Sequence, residues 1–140
     1  MKNKILVVDD EQDLAKALKF RLKTNGYDVI LAFDSIQAYT LAHKEMPNLI
    51  ILDVFIPGGG GFIVCERLKE SATTRHIPII FLTGIPGGEE RAYRAGACSY
   101  MTKPYNPSIL LDEVKRALEP DRRQTLGTIK GDREMAPLVS

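Results

Sequence analysis

Three acids and a lysine stand at the ends of three short, largely apolar segments. Asp9 and Asp10 follow Ile5-Leu6-Val7-Val8, Asp53 follows Leu49-Ile50-Ile51-Leu52, and Lys103 follows Ser99-Tyr100-Met101-Thr102. A fourth apolar run, residues 77–82, ends in Thr83. If these runs are neighbours in one parallel sheet, their ends meet in a crevice with three carboxylates, one hydroxyl and one ammonium. Carboxylate oxygens suit a hard divalent cation such as Mg²⁺, and a carboxylate can accept a phosphoryl group covalently. Each residue also has a plainer role. A strand-ending Asp caps a helix or forms a turn, Thr83 serves as a turn hydroxyl, a lysine before proline is a solvated loop charge, and Tyr100 is a core aromatic with a wet hydroxyl. Their joint placement, one feature per strand end, argues for a shared site.

Positioning such a crevice takes a sheet, and the chain alternates strand and helix signals five times, the pattern of a parallel α/β protein. The run from Lys4 to Val8 is continuous enough for burial on both faces. Leu14, Leu18 and Leu22 follow at helical spacing, with Asp10 or Glu11 at the helix start and Gly26 placed to end it in a left-handed turn. Residues 27–32 read as a second strand. Asp34 with Gln37 three residues on is a capping-box pair for a helix that turns Ala38, Leu41 and Ala42 inward and stops before Pro47. Residues 48–53 form the third strand, 58–61 a flexible turn, 62–71 a helix and 77–82 the fourth strand. A short helix is expected from Glu89 to Gly96, the fifth strand over residues 99–102, and a last helix capped by Asn106 with Pro107 first, turning Leu111, Val114 and Leu118 inward. Residues 1–120 make one domain, and residues 121–140, poor in apolar residues, read as a flexible tail or linker.

Composition fits this frame. The 140 residues are 44% hydrophobic and 26% charged, the balance of a single soluble domain. A net charge of +1 gives no basic surface for direct nucleic-acid or membrane binding. No apolar stretch approaches the ~20 residues of a membrane span, and the N-terminus enters a strand too soon for a secretory leader. Cys65 and Cys98 are far apart and in no metal-ligand spacing, which reads as two reduced, mostly buried thiols of a cytoplasmic protein. His43 and His76 are read as surface residues. The glycines at 58–61 lack the spacing of a phosphate-cradling loop.

Asp9-Asp10, Asp53 with Pro57 and Gly61, Thr83, and Lys103-Pro104 with Tyr100 three residues earlier resemble, in order and spacing, the receiver domain of two-component response regulators, over about residues 4–118. The resemblance implies a doubly wound, flavodoxin-like sheet of five parallel strands in the order 2-1-3-4-5, helices on both faces, and ligands outside the carboxyl ends of the strands. It implies that Asp53 accepts a phosphoryl group from a histidine kinase or phosphotransfer protein. Mg²⁺ would be held by Asp10 and Asp53, by Asp9 directly or through water, and by the Phe55 carbonyl. Lys103 and Thr83 would contact the phosphoryl oxygens. Thr83 and Tyr100 would form a switch coupled to the face of helix four, strand five and helix five, through which the domain would signal to a downstream protein target or a missing output domain, or form a homodimer. The chain departs from the family's usual pattern at Ile56, Gly60 and Gly84. The stretch from Thr83 to Lys103 is about two residues short, before helix four. Phe55 and Ile85 stand where residues flank the attacking water, which implies a slowly decaying phosphoprotein.

Two rivals come from other classes. A Mg²⁺-dependent phosphohydrolase with Asp53 as nucleophile needs an acid or base beside it and a cap over the substrate. Phe55 transfers no proton, and no insertion is long enough for a cap. A degenerate receiver acting only as a binding module is at odds with the intact acid pair, Asp53, Thr83 and Lys103. The domain is therefore read as a signalling phosphoacceptor rather than an enzyme.

Overall fold

A computed structural model describes residues 2–119; the expected tail, residues 121–140, lies outside the described residues. Five strands alternate with five helices: β1 (Lys4–Val8), α1 (Gln12–Thr24), β2 (Asp28–Ala32), α2 (Ser35–Glu45), β3 (Leu49–Leu52), α3 (Gly61–Glu70), β4 (Ile79–Thr83), α4 (Glu89–Arg94), β5 (Ser99–Thr102) and α5 (Pro107–Leu118). All strand pairs are parallel and the order is β2-β1-β3-β4-β5, as the resemblance implies. Among the described residues no helix is long and apolar enough to cross a membrane.

Alternation along the strands sorts the core into two layers, because successive side chains point to opposite faces. Ile5, Val7, Leu49, Ile51, Ile80 and Leu82 pack with residues of α1 and α5. Leu6, Val8, Ile50, Leu52, Ile79 and Phe81 pack with residues of α2, α3 and α4. Both faces are covered, which is why β1, β3 and β4 read as unbroken apolar runs rather than as alternating ones.

Several helix faces differ from the expected stripes. In α1, Leu14 is 48% exposed and Ala15 joins Leu18 and Leu22 in the core. The i−3 neighbour of Leu18, not its i−4 neighbour, lies on the sheet. In α5 the buried residues are Leu110, Val114 and Ala117, with Leu111 and Leu118 at the edge of the same layer. Ala38 and Ala42 of α2 are buried as expected, while Leu41 is only partly so. Tyr27 falls outside β2 because its amide donates to the Leu22 carbonyl at the end of α1. β4 starts at Ile79, not at residue 77, and includes Thr83.

The helix starts follow local chemistry. Asp34 accepts from the Gln37 amide at 2.8 Å, and Asn106 accepts from the amides of Ser108 and Ile109 with Pro107 in the first turn. Gly26 takes φ +94° after α1. Gly61 opens α3 against the end of β3: a Cβ there would lie 2.1 Å from the Asp53 carbonyl oxygen. Only glycine lets the helix start so close to the strand end that carries Asp53.

Candidate functional site at the carboxyl ends of the strands

The strand ends bring together Asp9, Asp53, Thr83 and Lys103. Asp9 and Asp53 continue neighbouring strands, and their amides donate to the carbonyls of Ala32 and Val8, each at 3.0 Å. These bonds extend the ladder one residue past the strands, so both carboxylates leave rigid backbone. Asp9 is 6% exposed and Asp53 8%. The amide of Lys103 donates to the Thr83 carbonyl at 2.8 Å, which ties the β5 end to the β4 end. The Lys103–Pro104 peptide is cis.

Lys103 reaches across the crevice. Its Nζ donates to Asp9 Oδ2 at 2.6 Å and to Asp53 Oδ2 at 2.9 Å. Burial by itself lowers the pKa of the ammonium, but the two carboxylate partners outweigh it and hold the pKa above the usual lysine range. The remaining oxygens are lightly used: Asp9 Oδ1 accepts from the Glu11 amide at 3.0 Å, and Asp53 Oδ1 takes a long contact from the Phe55 amide at 3.4 Å. Glu11, not Asp10, holds the N-cap position of α1, and its side chain caps nothing.

Thr83 is fully buried, and its hydroxyl is a buried side-chain polar atom without a hydrogen-bond partner. Such a group costs about 1–3 kcal/mol when unsatisfied, and this one lies at the end of β4, beside the β3 end that carries Asp53. Asp10, next along the chain from Asp9, is exposed. Among the described residues no three carboxylate, histidine or cysteine groups stand together in an arrangement that could hold a metal. The oxygens offered there are hard ones, the carboxylates of Asp9, Asp10 and Asp53 and the Phe55 carbonyl two residues beyond Asp53, a chemistry that would suit a divalent cation such as Mg²⁺.

Two clefts flank the acids. One, about 460 Å³, runs along Leu14, Leu18, Pro104 and Tyr105. The other, about 360 Å³, lies between the loops after β3 and β4, lined by Phe55, Phe62, Ile85, Arg91 and Tyr100. Phe55 is 69% exposed, whereas the Ile85 side chain packs against the core. Tyr100 is buried; its ring lies 6.0 Å from that of Phe81 and its hydroxyl donates to the Ile85 carbonyl. Burial raises its pKa above the usual tyrosine value, and Glu89 adds to the rise.

Away from the crevice, His43 and His76 are exposed, and neither Cys65 nor Cys98 forms a disulfide. Cys65 is fully buried, and burial pushes its thiol up to about 12. The sequence reading missed the Lys103 bridge to Asp9 and the tie between Tyr100 and Ile85.

Residues 5–115 match the family model of the response regulator receiver domain. The response regulator PleD of Caulobacter vibrioides is 38% identical over 117 residues, which are 82% of this chain and 26% of PleD. The chain thus spans about a quarter of that relative's length. A putative response regulator from Chloroflexus aurantiacus superposes with a TM-score of 0.80 at 32% identity, covering 84% of this chain and 98% of that one. The receiver domain of a sensor histidine kinase from Pseudomonas aeruginosa, solved with a magnesium ion coordinated in its active-site cleft, gives 0.77 at 28% identity, over 84% and 98% of the two chains.

Proposed function

From the premise that this chain belongs to the response regulator receiver domain family, a signalling module of two-component systems, we propose that Asp53 is its phosphoacceptor. An Asp53 carboxylate oxygen attacks phosphorus of a kinase phosphohistidine or a small donor. The new O–P bond makes an acyl phosphate as the P–N bond of the phosphohistidine, or the P–O bond of a small acyl phosphate donor, breaks, its electron pair leaving with the imidazole nitrogen or the carboxylate oxygen. Catalysis of such a transfer is mostly positioning and charge stabilisation. Lys103, a compact charge on a flexible stem, follows the phosphoryl oxygens as they arrive, and the Thr83 hydroxyl donates to one of them. Mg²⁺ would be held by Asp10, Asp9 and Asp53 together with the Phe55 carbonyl, all hard oxygen donors. When bound, the ion neutralises charge on the phosphoryl oxygens.

The observation that carries this reading is the unpartnered, fully buried Thr83 hydroxyl one strand from the Asp53–Lys103–Asp9 bridge. A phosphohydrolase is not favoured, because Phe55 offers no acid or base. The partner is a histidine kinase or phosphotransfer protein, the compartment is the cytoplasm, and the signal leaves by the α4–β5–α5 face to a downstream protein, an output domain or a second copy. Incubation with Mg²⁺ and acetyl phosphate followed by intact mass tests the assignment. The wild type gains one phosphate and Asp53→Asn gains none; an adduct that survives the substitution refutes it.

A further inference from the structure

Gly88 opens α4 with φ −95° and ψ 9°, a conformation open to any L-residue. Its neighbour Gly87, at φ +85°, is glycine for its backbone; Gly88 is not. A Cβ at residue 88 would lie 2.5 Å from the Tyr100 hydroxyl oxygen, 2.9 Å from Cζ and 3.1 Å from Cε1. The obstacle is the end of a rigid ring wedged against Phe81, which has no flexible tip to bend aside. The same ring end is held by a backbone group of this loop, the Ile85 carbonyl, which accepts from the Tyr100 hydroxyl.

We propose that Gly88 is a positioning residue that seats Tyr100 inward, and that residues 84–88 and the Tyr100 ring move as one unit. Thr83 begins this loop, and the Tyr100 hydroxyl is tied to it two residues further on, at the Ile85 carbonyl. A pull on Thr83 therefore reaches β5 through a hydrogen-bonded strap rather than through a gap that the ring must fill. A side chain at residue 88 displaces the ring and cuts the strap, while leaving Asp9, Asp53, Thr83 and Lys103 in place. The strap's role in signalling rests on Asp53 as the phosphoacceptor; the seating of the ring does not.

Side-chain NMR with ¹³Cζ-labelled tyrosine tests both parts. The wild type gives cross-peaks between the rings of Tyr100 and Phe81, and a Tyr100 hydroxyl that titrates above the usual ~10. Gly88→Ala loses those cross-peaks, and its Tyr100 titrates at about 10. In a Tyr100→Ala background, Gly88→Ala leaves the Phe81 signals unchanged, which separates ring displacement from general damage to the loop. On loading with acetyl phosphate, Gly88→Ala still gains its phosphate by mass, but the amide shift changes along α4 and β5 fall to less than half of the wild-type changes. Persistent Tyr100–Phe81 cross-peaks in Gly88→Ala, or undiminished shift changes along α4 and β5, overturn the proposal. A wild type that takes no phosphate on Asp53 overturns the reading of the acid site instead, and the phosphate-free spectra still decide the seating of Tyr100.

Discussion

Replacing Lys103 by methionine removes one charge from the crevice and keeps most of the side chain's length. Two carboxylates, 6% and 8% exposed, then lose a partner that stood at 2.6 and 2.9 Å. Removing one member of a buried ion pair costs ~3–5 kcal/mol, because the charge left behind has been desolvated without compensation. The crevice is open to water on one side, which places the cost at the lower end, about 3 kcal/mol. That is roughly a 150-fold fall in the folded-to-unfolded ratio and, for a domain of this size, a melting temperature lower by about 12 °C. Thermal and urea melts followed by circular dichroism at pH 7 without divalent ions measure it. Adding Asp9→Asn to Lys103→Met should recover part of the loss, because only one buried carboxylate then remains. A Lys103→Met protein that melts within 3 °C of the wild type would show that the bridge contributes no net stability.

The same pair of proteins reports the ionisation of Lys103. Its pKa is raised in the folded state, so its contribution is fully present below the unfolded lysine value of ~10.4 and is lost as pH climbs through the higher folded value. The stability gap between wild type and Lys103→Met should stay level up to about pH 10.4 and narrow above it. A gap that narrows between pH 7 and 9 would contradict the assignment.

Three further outcomes are expected. Asp10→Asn should weaken Mg²⁺ binding, read by NMR titration, more than Asp9→Asn does, because Asp9 is already engaged by Lys103 and Glu11; equal loss or none in both refutes the donor set. Phe55→Asn should shorten the lifetime of the phosphorylated protein after donor removal by ~10-fold or more, since a polar group there can orient water; Ile85 is left alone because its side chain packs on the core. With a thiol reagent at pH 8 the half-buried Cys98 should react first, while Cys65, fully buried with its thiol pushed up to about 12, should react only on unfolding; fast labelling of Cys65 in the native state argues against this packing.

The inner strands β1, β3 and β4 were legible because burial on both faces leaves unbroken apolar runs, each closed by a polar residue, Asp9, Asp53 or Thr83. The strand order was not in the runs themselves; it came with the resemblance. Helix faces were legible only to within one residue. Leu14 and Ala15 are both apolar, so the choice between i−3 and i−4 at the start of α1 is made by the sheet, and spacing carries no record of it. The acids, Thr83 and Lys103 were placed correctly at strand ends. Which of them touch was not readable, since Lys103 lies 94 residues from Asp9 and the contact depends on how the β5–α5 turn aims the ammonium. Tyr100 shows the same limit: its residue type and position were plain, but its seat depends on the missing Cβ of Gly88.

Charge gives the site its logic. Asp9, Asp10 and Asp53 against Lys103 leave two net negative charges in the crevice, a deficit that one divalent cation cancels. The lysine is shared by two carboxylates, so neither holds it alone, and it can turn to a new group without leaving a bare acid pair if the cation is present. In the proposed reaction Asp53 gives up its charge on forming the acyl phosphate, and the phosphoryl group brings about two negative charges in its place. The released Asp53 contact frees Lys103 for those oxygens, while its contact to Asp9 keeps it anchored. Thr83, carrying no charge, pays its desolvation cost beforehand and recovers it when the oxygen arrives. A hydroxyl satisfied within the protein would lose a bond for each one it made and would favour neither state. In the proposed reaction, leaving this one unpaired would make the backbone at Thr83, and the loop that follows it, respond to the phosphoryl group on Asp53.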